Sequence, residues 1–275
     1  VFDHVSVKGV GRDGTVALYR WYYGLYTTFQ ETIWRKGKET PVTAFGHAAQ
    51  LSDYRDARNY AGSFYEDESQ NSSAMMPPSE ESVAFVVESG RIRIVGRGRV
   101  AAWNPGGAVA TRLRVDDDGK PAGSDIRSEE HVRVFEKGRT YDLGRVRVLG
   151  RRADGAFVLI DTVPPSAESV VPDPLGLYLW RQGRLEPWVR LPKGWEAIAF
   201  EPQGTVLLRK EGQAGLLKGS TLTPLRVSDP RVGEALGYTD AADWLRPDSS
   251  FAFSTGGIGP SGHDERKTYT LRPSA

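Results

Sequence analysis

The chain has 275 residues, 39% of them hydrophobic, and its 7 Trp, 11 Tyr and 10 Phe offer enough ring surface to fill a sizeable core. With 36 basic against 35 acidic side chains the formal net charge is +1, so no chain-wide field draws the protein toward nucleic acid or anionic lipid. The lack of cysteine excludes disulfides, thiolate zinc sites and a cysteine nucleophile, and no run approaches the roughly 18 apolar residues of a helical membrane span.

In chain order the apolar runs are short, alternating and rich in β-branched and aromatic residues: VSVKGV (5–10), TVALYRW (15–21), SVAFVV (82–87), RIRIV (91–95), GAFVLI (155–160), LYLW (177–180) and TVLLR (205–209). Gly and Pro punctuate them, as in an all-β chain. The best helical candidates, AAQLSDYRDARNY (48–60) and VGEALGYTDAADWL (232–245), are short.

A repeat underlies this pattern. Turn elements followed by a β-rich run occur at Arg12-Asp13-Gly14, Tyr60-Ala61-Gly62, Pro105-Gly106-Gly107, Ala153-Asp154-Gly155, Pro202-Gln203-Gly204 and Pro247-Asp248-Ser249-Ser250. From residue 14 onward they are spaced by 48, 45, 48, 49 and 46 residues. A second element keeps step, a strand running through a tight Gly turn into another strand: TIWRKGKETPV (32–42), FVVESGRIRIV (85–95), RVFEKGRTYDL (133–143), YLWRQGRLEPW (178–188) and GLLKGSTLTPL (215–225). A period of about 45 residues with four strands per unit predicts propeller blades. The expected architecture is all-β, a single domain over 1–275 forming a six-bladed β-propeller with four antiparallel strands per blade.

The phasing resembles bacterial β-propeller repeat families, the HAF-type repeats and the propellers of TolB-like proteins. It does so through the turns at Asp13-Gly14, Asp154-Gly155 and Pro247-Asp248 and through Trp34-Arg35-Lys36-Gly37 and Trp180-Arg181-Gln182-Gly183. The resemblance implies a fold rather than an activity. Together with a first residue that is Val rather than Met, it leads to an expected extracytoplasmic location, periplasmic or secreted.

Naming the strands of a blade A to D, the first turn series joins A to B and the second joins C to D. The long segments 22–31, 66–82, 115–130, 161–176 and 254–267 become B–C loops, which share one face with the D–A connections. Loops held on a rigid scaffold are where binding groups sit, so that face is the expected location of function.

The aromatic segment LYRWYYGLYTTF (18–29) offers Tyr22 and Tyr26 for stacking on sugars or cationic groups, against the alternative that its rings fill the space between blades. His47 in a D–A connection and His263 in a B–C loop project toward the loop face, where Tyr54, Arg55, Tyr238 and Asp240 are possible companions in a ligand site. Arg91, Arg93, Arg97 and Arg99 alternate with apolar residues and would line one side of an outer strand as a polyanion patch. Arg145, Arg147, Arg151 and Arg152 extend the theme; the competing reading is a solvated edge that uses Arg to prevent strand pairing. DDDGKPAGSD (116–125) lacks the ligand spacing of a calcium loop and reads as an Asp-Gly turn, and FSTGGIGPSG (253–262) lacks the Lys and helix of a phosphate cradle. His4, His47, His131 and His263 have no paired metal spacing, and G-x-S-x-G is absent.

These residues lead to an expected non-catalytic binding or scaffolding propeller that presents its loops to a protein or glycan. Neither cofactor nor metal is expected, nucleic acid is disfavoured as a partner, and the chain is expected to be monomeric. The alternative is a hydrolase or lyase with its site at the mouth of the central channel, since some six-bladed propellers resemble lactonases.

Overall fold

In the computed structural model, the described residues are all those of the chain except 1, 24–27, 66–81, 117–119, 122–128, 162–175, 202, 211–212, 226–242, 245–250, 259–263 and 272–275. No helix occurs among them. Successive strands pair with their sequence neighbours in antiparallel meanders.

The first sheet consists of β1 (Phe2–Val10), β2 (Val16–Tyr23), β3 (Thr28–Arg35) and β4 (Lys38–Pro41). The second has five strands, β5 (Thr43–Ala44), β6 (His47–Asp56), β7 (Asn59–Tyr65), β8 (Ser82–Glu88) and β9 (Arg91–Arg97). The third is built from β10 (Arg99–Trp103), β11 (Val109–Val115), β12 (Glu129–Glu136) and β13 (Arg139–Asp142). Next come β14 (Val146–Arg151), β15 (Phe157–Asp161), β16 (Gly176–Arg181) and β17 (Arg184–Arg190), then β18 (Glu196–Phe200), β19 (Thr205–Lys210), β20 (Gln213–Lys218) and β21 (Thr221–Pro224). A three-stranded sheet of β22 (Asp243–Trp244), β23 (Phe251–Ile258) and β24 (Asp264–Leu271) ends the series.

The hairpins between third and fourth strands follow directly from local sequence. Lys36-Gly37, Ser89-Gly90, Lys137-Gly138 and Gln182-Gly183 all have positive φ at both residues, 48° and 83°, 53° and 80°, 51° and 74°, and 51° and 76°. Two consecutive left-handed residues make the two-residue turn whose twist matches that of paired strands, and glycine at the second position makes it accessible. Two of the first-to-second strand turns use an aspartate instead. Asp13 Oδ1 accepts from the Thr15 amide at 3.2 Å, and Asp154 Oδ1 accepts from the Ala156 amide at 3.2 Å.

The chain divides into two compact units, Val1–Val148 with Ser166–Val170, and Leu149–Pro165 with Val171–Ala275. In the first unit the second sheet is buried on both faces, and the period of two sorts its side chains. Val83, Phe85 and Val87 of β8 pack with Ala17 and Ile33 of the first sheet. Ala84 and Val86 point the other way, into Val100, Trp103 and Val109 of the third. Polar ties join the same layers: the Arg12 amide donates to Arg55 O at 3.0 Å, and the Val100 amide donates to Ser63 Oγ at 3.0 Å. Glu88 Oε1 accepts from Trp103 Nε1 at 3.2 Å and from the Gly106 amide at 2.7 Å. In the second unit Val158, Ile160, Leu177 and Leu179 pack against Ala197, Phe200, Val206, Leu208 and Leu217.

Three sequence expectations change. Residues 48–56, within one of the two short helical candidates, lie in β6, because Ala49 and Leu51 are buried at a strand's spacing and the Leu51 backbone is held from the neighbouring sheet. Tyr60-Ala61-Gly62 is the interior of β7, and the turn falls at Ala57-Arg58. Gly62 is there because a Cβ would lie 2.1 Å from Gln50 O. The expected loop 254–267 is largely a ladder in which Gly256 pairs with Arg266 and Gly257 with Glu265, leaving only residues 259–263 between the strands.

Candidate functional site

Only the second sheet carries an additional hairpin before its first long strand: β5 pairs with the start of β6 through Thr43↔Ala48 and Ala44↔His47 among the described residues. Its turn is Phe45-Gly46, with φ of 52° and 89°. The turn type prefers Asn or Asp before Gly, and a bulky residue with positive φ is an outlier that needs support from its surroundings. That support is aromatic. The Phe45 ring lies 5.8 Å from Phe64, and His47 stacks on Phe64 from the same hairpin at 5.4 Å and 13°. Phe64 is buried and belongs to the core between the first two sheets, so the hairpin is anchored by its two flanking rings. Phe45 nevertheless remains 51% exposed, and His47 Nδ1 is buried with no hydrogen-bond partner among the described residues. A half-exposed ring beside an imidazole can stack on a planar or apolar group and exchange a hydrogen bond with it.

The structure places Tyr54 and Arg55 apart from this hairpin. Both lie near the far end of β6 from His47, seven and eight residues along a strand rising about 3.3 Å per residue. They are engaged in packing. Tyr54 OH hydrogen-bonds Thr15 Oγ1 at 2.5 Å, and the Arg55 guanidinium lies 5.4 Å from the centre of the Trp103 ring. Burial pushes the Tyr54 phenol up from its ordinary range. The Thr15 hydroxyl holds the neighbouring Asp13 carboxyl below the usual carboxylate range. Tyr22 lies in β2, its backbone paired with Asp3 and Thr28. Tyr26, Tyr238, Asp240 and His263 lie outside the described residues.

The arginine stripe does not form as expected. Arg91 and Arg93 share a face of the second sheet with their β8 partners Glu88 and Val86, and Arg93 Nε lies 3.6 Å from Glu88 Oε2. A bulge at Val95 then inserts one residue, so Arg97 pairs with Val83 and points to the opposite face, and Arg99 begins β10 of the next sheet. The bulge breaks the period of two on which a continuous stripe depends. Arg147 and Arg151 lie in β14, a first strand rather than an outer one, with Arg145 immediately before it. Arg152 covers the Trp188 ring at 5.2 Å.

The remaining charged groups act locally. Asp116 accepts from the Lys120 amide through Oδ1 at 2.8 Å, which makes the start of the 116–125 segment a turn. His131 Nδ1 and Arg133 Nε lie 3.3 and 3.0 Å from the two oxygens of Asp142. Among the described residues no three of His, Asp and Glu converge in a way that could hold a metal ion. The sequence marks His47 as a candidate but not Phe45 beside it. The available signal was the X-Gly pair in TAFGHA, the same pattern that marks the four other turns.

No protein-family model matches the chain, HAF-type and TolB-like repeats included, and no curated protein matches it. Two solved structures are similar. An acylaminoacyl peptidase of Pyrococcus horikoshii aligns with 100% of this chain at 13% identity and a TM-score of 0.55, and this chain spans 46% of that protein's length. The β-propeller domain of the Trilobed protease from Pyrococcus furiosus, described as having an open velcro topology, aligns over 99% of this chain and 82% of its own length, at 12% identity and a TM-score of 0.58. Together with the succession of antiparallel meanders, these similarities show that the chain has a β-propeller fold.

Proposed function

We propose that the chain is a six-bladed β-propeller acting as a non-catalytic binding domain. Its ligand, a protein or glycan, engages the face that bears the B–C loops and D–A connections. The observation that carries this reading is the Phe45–Gly46 hairpin. It adds a bulky, half-exposed ring to a D–A connection at a backbone geometry that costs about 1–2 kcal/mol for a side chain with a Cβ. The four other X-Gly turns, which reverse the chain between paired strands, carry Lys36, Ser89, Lys137 and Gln182 at this position, polar side chains rather than an aromatic ring. Exposed aromatic rings on rigid supports are efficient binding anchors because little rotamer entropy is lost.

The test is to probe peptide and glycan arrays with the labelled wild-type chain and with Phe45→Ser. A set of ligands retained by wild type and lost by at least tenfold in the variant, with thermal unfolding unchanged, is the expected result. Ligands bound equally by both would overturn this use of the hairpin.

A second reading is favoured by the two similar structures, both from peptidases: the chain serves a hydrolase, with chemistry at the mouth of the propeller channel. Turnover of an acetylated aminoacyl p-nitroanilide by the purified chain is the outcome that would select it.

A further inference from the structure

We propose that β9 is a docking edge, which recruits an extended peptide of alternating acidic and apolar residues as an added strand. This inference concerns the outer edge of the second sheet and does not rest on the loop-face reading.

The sheet order ends at β9, and among the described residues no backbone hydrogen bond joins its outer side to another strand. Exposed edges of this kind are usually guarded by short length, proline or a covering segment. The other fourth strands show such guards. β4, β13 and β21 have four residues each, β4 and β21 end in Pro41 and Pro224, and the seven-residue β17 carries Pro187 in its interior. β9 has seven residues and no proline, its charges at Arg91 and Arg93 are of one sign and so repel only strands that carry the same charge, and Ile92 and Ile94 are 38% and 52% exposed.

The turn fixes which backbone groups are free to pair. In a two-residue hairpin the flanking residues, here Glu88 and Arg91, exchange both backbone bonds, and bonded pairs then alternate along the ladder. Arg91 and Arg93 therefore direct their N–H and C=O groups to β8, whereas Ile92 and Ile94 direct theirs outward. An added strand would take its backbone bonds from these two isoleucines. On the faces, its residues beside Ile92 and Ile94 would be apolar, and those beside Arg91 and Arg93 acidic.

A second copy of this chain is disfavoured as the occupant. If isoleucine faces isoleucine in a β9–β9 pair, arginine also stands beside arginine, and like charges directly opposite are destabilising.

The test is fluorescence anisotropy with a fluorescein-labelled hexapeptide of alternating Glu and Val. Controls are its Lys–Val counterpart and a Glu–Val peptide N-methylated on the amides that would face β9. Wild type should prefer Glu–Val over Lys–Val, and N-methylation should weaken binding at least tenfold. Ile92→Pro, which removes an outward amide while sparing the ladder to β8, should cause a similar loss. Should that variant fail to fold, R91E/R93E supplies an independent test, because it should reverse the preference to Lys–Val. Absence of binding, equal binding of the N-methylated peptide, or an unchanged preference in R91E/R93E would overturn the proposal. So would displacement of the peptide by heparin with no sensitivity to Ile92→Pro, the mark of a polyanion patch, or concentration-dependent dimerisation abolished by Ile92→Pro.

Discussion

The first two sheets share one interface but differ on their other faces. The second sheet is apolar on both sides of β8, with large residues toward the first sheet and smaller ones toward the third. Among the described residues, the first sheet packs through the face bearing Ala17 and Ile33. Its opposite face exposes Val7 and Val10, to 63% and 69%, around a paired Arg20 and Glu39. β-strand composition alone does not reveal burial: β1 and β8 each contain three valines, and only the neighbouring layer distinguishes them. The shared interface also accommodates polar groups. β6 is an edge strand at Leu51, and its backbone there is satisfied from the first sheet. The Leu51 amide donates to Glu31 Oε2 at 2.5 Å, and Lys8 Nζ donates to Leu51 O at 3.0 Å. Lys8 reaches this position because a bulge between Val7 and Gly9 redirects it across the Tyr19 ring, where it also pairs with Glu31.

The sharpest way to break this contrast is Phe85→Ala. Phe85 is fully buried at the shared interface, with Tyr60 and Phe64 rings at 6.2 and 6.1 Å, so the substitution should cost about 3–5 kcal/mol in urea denaturation. A loss below about 1 kcal/mol would mean that the two sheets are not packed together in solution.

Glu31 tests the polar tie. Burial raises its carboxyl above the ordinary value of 4.5, outweighing Lys8 and the Leu51 amide, which act in the opposite direction. A carboxyl whose folded pKa is raised binds its proton more tightly in the folded state. Its favourable contribution is therefore full below 4.5 and is lost as pH rises through the elevated folded value. Glu31→Gln should remove that dependence. The stability of wild type relative to the variant should fall as pH rises from 4.5 through the folded pKa, as read by denaturation midpoints; a difference independent of pH would contradict the raised pKa.

The smallest effect is expected on the open face. Val7→Thr should change stability by less than about 0.5 kcal/mol. A loss above about 1.5 kcal/mol would show that this face is covered in solution.

Much of the local structure was legible in the sequence. The X-Gly turns at 36–37, 89–90, 137–138 and 182–183 follow from the need for two left-handed residues, and the alternating runs became strands. The turn of the second repeat was not legible, because Tyr60-Ala61-Gly62 has turn composition but Gly62 serves a close approach to Gln50. The arginine stripe failed for a related reason: sequence alternation predicts one face only while the ladder is regular, and the bulge at Val95 lies in the pairing with β8. At the candidate site, His47 could be named from its place in a connection. Its stacking on Phe64, and the part played by Phe45, required the two hairpins to be brought together.

What the sequence by itself determined is the all-β character, the roughly 45-residue recurrence and the positions of the tight turns, because these depend on backbone preferences and on a side-chain period of two. Tertiary structure alone decided which face of each strand is covered, that Lys8 and Glu31 close the open edge of β6, and that β9 ends its sheet with two exposed isoleucines. These outcomes depend on register, bulges and adjacent layers, and all three are set by pairing between segments distant in the chain.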